Sequence, residues 1–163
     1  MLNNTVLLTN HALTGVWLGS IIESPLLGYP VGVISHLALD STPHAAWDSN
    51  PFLTYKVKQP DIPGMPYFKE PRNFILGSLD FAGALTILAV GLVIFPHRRI
   101  QIAAGWLGAV SPDLLYLPEI FFQKRILPAF KSFHHRIQWS ESPYGIPVEI
   151  LWATLMLHLL HLV

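Results

Sequence analysis

The chain has no cysteine in 163 residues. Disulfides, thiolate metal sites and cysteine nucleophiles are therefore excluded, and any metal must be held by His, Asp or Glu. Charge is scarce as well. Asp, Glu, Lys and Arg make up 12% of the chain, about half of the ~25% usual in soluble proteins. Ten basic residues balance ten acidic ones. No basic cluster with interleaved aromatics occurs, so nucleic-acid binding is not expected. Also missing are a Gly-rich phosphate loop, a nucleophile elbow and an H-E-x-x-H motif. Met1-Leu2-Asn3-Asn4 has neither a basic n-region nor a small-residue cleavage site, and no removable signal peptide is expected.

Apolar side chains are abundant: 52% of residues are hydrophobic and mean hydropathy is +0.44. Too little charge remains to cover a water-facing surface. The expectation is an all-α, polytopic helical membrane protein, a single domain over residues 1–163 with about four to five apolar helices. Asn10–Ile22 reads as the first helix, with Thr9 or Asn10 as N-cap. Breaks at Glu23-Ser24-Pro25 and Gly28-Tyr29-Pro30 precede a second helix from about Pro30 to Ser41. Asn73–Phe95 is the clearest span, its ~33 Å matching a ~30 Å hydrocarbon core. Ile100–Leu115, rich in Gly and Ala, and Ile146–Val163 complete the set. Residues 45–72, holding Pro51, Pro60, Pro63, Pro66 and Pro71, read as a Pro-rich extramembrane loop. Residues 118–145 read as a polar loop, most polar over Lys124–Tyr144.

The polar residues inside this apolar chain carry the chemistry. His36 and Asp40 lie one helical turn apart, about 6 Å by the rise per residue, so both can converge on one ion. His44 follows just past Pro43, where the helix is expected to end. Short connections make successive helices alternate in direction. His11 then starts the first helix, His36 and Asp40 end the second, Asp80 lies near the start of the third, and Asp113 ends the fourth. His134 and His135 follow in the next loop, so all fall on one side. Candidate ligands are His11, His36, Asp40, His44, Asp80, Asp113, His134 and His135. Asp80 is also a candidate base that orients water, and Arg136 a candidate to neutralise an anionic substrate. An ionised carboxylate at depth costs roughly 2.5 kcal/mol or more, which favours a functional role for Asp80. Its bland alternative is to accept hydrogen bonds from end-group amides. Glu149 could join the site, whereas His97, His158 and His161 read as structural.

Lys56, Lys58, Lys69 and Arg72 in one loop, and Lys124, Arg125, Lys131 and Arg136 in the other, lie on the candidate side. Arg98 and Arg99 lie opposite. The positive-inside tendency then places the chain in the inner (cytoplasmic) membrane with its site facing the cytoplasm.

The segments Asn10-His11-Ala12-Leu13-Thr14-Gly15 and Ser35-His36-Leu37-Ala38-Leu39-Asp40-Ser41-Thr42-Pro43-His44 resemble small, largely uncharacterised bacterial integral-membrane proteins. In these a histidine opens the first helix and S-H-x-x-x-D-x-x-P-H closes the second. Leu79-Asp80, Gly105 to Leu114 with its Ser111-Pro112-Asp113, and Phe133-His134-His135-Arg136 are similar too. More distantly the group is similar to membrane-bound metal-dependent hydrolases, with their S-H-x-x-x-D, P-D and H-R-G-x-x-H-S segments. Here Ile137-Gln138-Trp139-Ser140 follows Arg136, without that last histidine, and the segment order differs.

The resemblance and the residue pattern together imply metal-assisted hydrolysis. A divalent ion, zinc first with manganese or iron as alternatives, would lower the pKa of a water and polarise the scissile group. The expected substrate is a phosphoester of a membrane lipid or another small amphiphile. The rival expectation is a small non-catalytic membrane subunit that uses the same residues for helix packing or a structural ion. Polar residues confined to one side argue against a proton or ion pathway.

Overall fold

The computed structural model describes residues 7–45, 71–122, 126–137, 141–142 and 145–163. The described residues form α1 (Leu8–Ile21), α2 (Pro25–Asp40), α3 (Pro71–Ile94), a 3-10 turn (Pro96–Arg98) and α4 (Arg99–Leu114). Then come α5 (Leu117–Phe122), α6 (Pro128–Ile137) and α7 (Gly145–His161). The only pairing among them that is not helical is a parallel bridge of two-residue strands, β1 (His44–Ala45) with β2 (Glu141–Ser142). It ties the segment after α2 to the segment after α6. Most of the 45–72 loop lies outside the described residues.

α1 is the central helix, with Asn10–Val16 and Leu18–Ser20 all buried. Its neighbours reach it by close backbone approach. A Cβ on Gly15 would stand 2.6 Å from the Gly105 carbonyl oxygen, and one on Gly32 would meet the same oxygen at 2.6 Å. Real Cβ atoms do not come so near, so α4 wedges between α1 and α2 only because glycine lines the contact. Ala12, Val16, Ala84, Ile102, Trp106 and Val110 fill the core beside it. Trp106 Nε1 donates to the Ala84 carbonyl at 3.0 Å and so joins α4 to α3. α7 is joined to α1 by polar contacts: Asn10 Nδ2 donates to Glu149, and Trp152 Nε1 donates to Thr14 Oγ1 at 2.9 Å.

These contacts set the directions. Thr9 lies against Gly83 and Val16 against Gly91, so α1 and α3 run the same way. Gly15 and Gly19 meet Gly105 and Gln101, so α4 runs opposite to α1. α1 and α3 therefore run one way and α2 and α4 the other, as alternation requires, but the start of α1 lies level with the middle of α3, not with its start at Pro71 as expected.

Several boundaries differ from expectation. α2 starts at Pro25, not Pro30, and continues through Gly28 and Pro30. Gly28 packs ordinarily on α4, with Gly105 N 3.7 Å from an added Cβ, and this tertiary contact outweighs the local breakers. α4 keeps within one residue of its expected span, with Pro112 inside it. The presumed polar loop contains α5 and α6, and the chain turns into α6 through Leu127 at φ 50.

Among the described residues one helix is long and apolar enough to cross a membrane, Phe74–Ile94, and only 11% of its most apolar window is buried. A core helix of a soluble protein would be mostly covered. α1, α2, α4 and α7 have 14, 16, 16 and 17 residues, short of the ~20 needed for an untilted span.

The glycine contacts give a direct test by thermal unfolding in detergent. Gly32→Ala is expected to cost about 1–3 kcal/mol because α4 must move away. Gly28→Ala, in the same helix but with room for a methyl, should be neutral or slightly stabilising. Equal effects would contradict the packing.

Candidate metal centre

Three elements deliver rigidly placed donors. His36 and Asp40 end α2 one turn apart, His11 sits in the first turns of buried α1, and Asp113 lies in the last turn of α4. The fourth element is α6, which brings His134. His11, His36, Asp40 and His134 have no exposure, while the Asp113 side chain keeps 15%.

The donor atoms face one another. His36 Nε2 lies 3.1 Å from Asp40 Oδ2, 3.0 Å from His134 Nε2 and 3.7 Å from Asp113 Oδ1. His11 Nε2 is 3.2 Å from Asp40 Oδ1, and the His11 and His36 rings stack with centroids 3.9 Å apart. Ligands 2.0–2.1 Å from a tetrahedral ion stand about 3.3 Å from one another. Most of these separations are those of ligands around one ion. The His134 Nε2–Asp40 Oδ2 contact, at 2.5 Å, is closer and is a hydrogen bond as drawn.

Two hydrogen bonds fix the outer side of the rings. The Ala109 carbonyl accepts from His36 Nδ1 at 2.7 Å, which leaves the Nε2 lone pair facing inward. His134 Nδ1 lies 3.2 Å from the Tyr116 hydroxyl, so its Nε2 also faces the cluster. The donors form two triads, His11–His36–Asp40 and His36–Asp113–His134, each within 4.8 Å. Both need His36, whose one inward lone pair serves one ion, so the arrangement is a single centre with five candidate ligands. His11 Nε2 and Asp113 Oδ1 are buried without a hydrogen-bond partner among the described residues. Such atoms are costly unless something satisfies them, and an ion bound by nitrogen and oxygen would. Three imidazoles and two carboxylates suit zinc, manganese or iron.

The other sequence candidates fall elsewhere. Asp80 accepts from the Leu8 amide at 2.8 Å and the Thr9 amide at 3.0 Å, and from the Thr9 hydroxyl. It therefore caps α1 from a neighbouring helix, the place expected of Thr9 or Asn10, and both its oxygens are taken up there. Its carboxylate is not in either triad. Arg136 is exposed, because two residues beyond His134 the side chain has turned off the inward face of α6. The side chains of His44 and His135 lie outside what is described, so those two candidacies are open. Glu149 is buried but engaged by Asn10, and His97, His158 and His161 are exposed. Sequence reading missed the Ala109 carbonyl and Tyr116, neither of which gave a signal.

No family model, curated protein or solved structure matches this chain.

Metal analysis of purified protein separates the two aspartates. Asp40→Ala is expected to lose stoichiometric metal. Asp80→Ala should keep the metal and lose about 1–2 kcal/mol of stability with its helix cap. Metal loss in the Asp80 variant with stability unchanged would reverse the assignment.

Proposed function

We propose that the protein is a membrane-embedded metal-dependent hydrolase whose centre is built by His11, His36, Asp40, Asp113 and His134. The observation that carries this reading is the convergence of five N and O donors from four helices at the spacing of ligands around one ion. A divalent ion held there supplies Lewis acidity and a water of lowered pKa. Among the donors Asp113 retains access to the surface, which puts the approach of substrate on the α4 side.

Apolar surface supports the membrane. α3 exposes Phe74, Ile75, Leu79, Val90 and Val93, and α7 exposes Ile150, Leu151 and Leu157, most of them more than half accessible. Such faces are stable in hydrocarbon and costly in water. Because Thr9 pairs with Gly83 and Val16 with Gly91, His11 stands about level with Leu85, near the middle of Phe74–Ile94. A centre at that depth is reached most directly by an amphiphile arriving from the bilayer. A phosphoester of a lipid is the substrate class we favour, with zinc as the first choice of metal. The basic residues of the loops support a reading in which the chain sits in the inner membrane with its site on the cytoplasmic side.

A second reading has its own support. Four donors are fully buried, as in structural sites whose ligand shell is closed. The protein would then be a membrane subunit held together by its ion.

Turnover decides between them. Zinc-loaded protein in detergent should hydrolyse a lipid phosphoester such as phosphatidic acid, stop on chelation and resume on zinc addition. His36→Ala should lower the rate by at least about a hundredfold. Stoichiometric metal with no turnover on phosphomonoesters or phosphodiesters, and unfolding on chelation, would support the structural reading instead.

A further inference from the structure

We infer that the turn from Pro96 to Arg99, between α3 and α4, is a headgroup-binding surface for net-anionic phospholipid, at the bundle end remote from the metal centre. The inference rests on the membrane reading and is independent of the ion. Pro96 cannot donate to the helical ladder of α3, so the apolar helix stops and the chain reverses. The Arg98 amide closes the turn on the Phe95 carbonyl at 3.0 Å. Arg98 and Arg99 thus follow directly on the membrane-length helix Phe74–Ile94. Counted along α3 from Leu85, the level of His11, they lie roughly 20 Å from the centre.

Apolar side chains surround the two arginines. Val93 and Ile94 before the turn and Ile100 after it are 75%, 61% and 72% exposed. The α1–α2 corner lies alongside, because Gln101 Nε2 donates to the Glu23 carbonyl at 3.0 Å, and it presents Leu26 at 86% exposure. α7 runs the same way as α1, since Asn10 meets Glu149 and Thr14 meets Trp152, so His158 and His161 in its last turn come to this end too. Permanent positive charge ringed by outward apolar residues fits the boundary of a bilayer. Hydrocarbon takes the apolar side chains, and the guanidiniums reach the level of the phosphates.

The charge at this end is in surplus. Arg98 makes no side-chain hydrogen bond or ion pair among the described residues, and Arg99 uses one donor, Nε, on the Leu92 carbonyl at 3.1 Å. Glu23 is the one acidic side chain at this end among the described residues; it is exposed and pairs with neither arginine. A guanidinium holds its N–H donors in a planar fork that matches two phosphate oxygens. A zwitterionic headgroup brings its own cation to the surface, whereas a net-anionic one does not, so surplus positive charge favours the latter.

Were the turn only an interfacial anchor, it would accept any headgroup alike. The chain has no cysteine, so Ile100→Cys takes a single fluorophore beside the turn, with Ile94→Cys as the second position. Full-length labelled protein is reconstituted in phosphatidylcholine bilayers carrying a trace of nitroxide-labelled phosphatidylglycerol or, separately, of nitroxide-labelled phosphatidylcholine. Quenching should report an enrichment of phosphatidylglycerol near the turn of at least about fivefold. Arg98→Gln together with Arg99→Gln should abolish that enrichment. Arg98→Gln alone, which removes no hydrogen bond within the chain, should cut it by about half or more and serves if the double variant fails to reconstitute. Arg136→Gln, an exposed cation on α6, should leave it unchanged. Equal quenching by the two lipids before substitution, or enrichment that survives loss of the arginines, overturns the role of the turn and leaves the membrane reading standing. No quenching by either lipid overturns both.

Discussion

The site depends on how closely α4 approaches α1 and α2. With the Gly105 carbonyl where the Cβ atoms of Gly15 and Gly32 would otherwise sit, the three helix backbones are in contact. That contact carries Ala109 to within hydrogen-bond reach of His36 and Asp113 to the far side of the same ring. One added methyl would push the axes apart by more than the tolerance of a coordination shell. Packing and chemistry are therefore one constraint here, in which side-chain size at α1 and α2 sets ligand spacing at their ends.

Two halves of the centre differ in how firmly they are held. His11, His36, Asp40 and Asp113 stand on the glycine-packed helices. His134 arrives on a ten-residue helix whose inward face is polar, positioned by Tyr116 and by the β1–β2 bridge that joins the flanking segments. A donor set divided in this way lets the rigid part choose geometry while the peripheral helix completes it.

Much of this was legible in the sequence, and the misses have physical causes. The His36–Asp40 spacing and the alternation of helices sufficed to gather His11, Asp113 and one of His134 and His135 at one end. Asp80 misled because a carboxylate in an apolar helix signals need without revealing the partner; only tertiary structure shows the Leu8 and Thr9 amides opposite it. Pro30 misled because local breaking tendency was outweighed by packing against α4. α6 escaped notice because its polarity is inverted, so its helical period looked like that of a polar loop.

The central claim is that one ion is coordinated by nitrogen and oxygen from these helices. X-ray absorption spectroscopy of the zinc-reconstituted protein tests it most directly. A single zinc per chain, with an N/O shell at about 2.0–2.1 Å and outer-shell scattering from three imidazoles, is the result expected from His11, His36 and His134. A shell with one imidazole or none would contradict it.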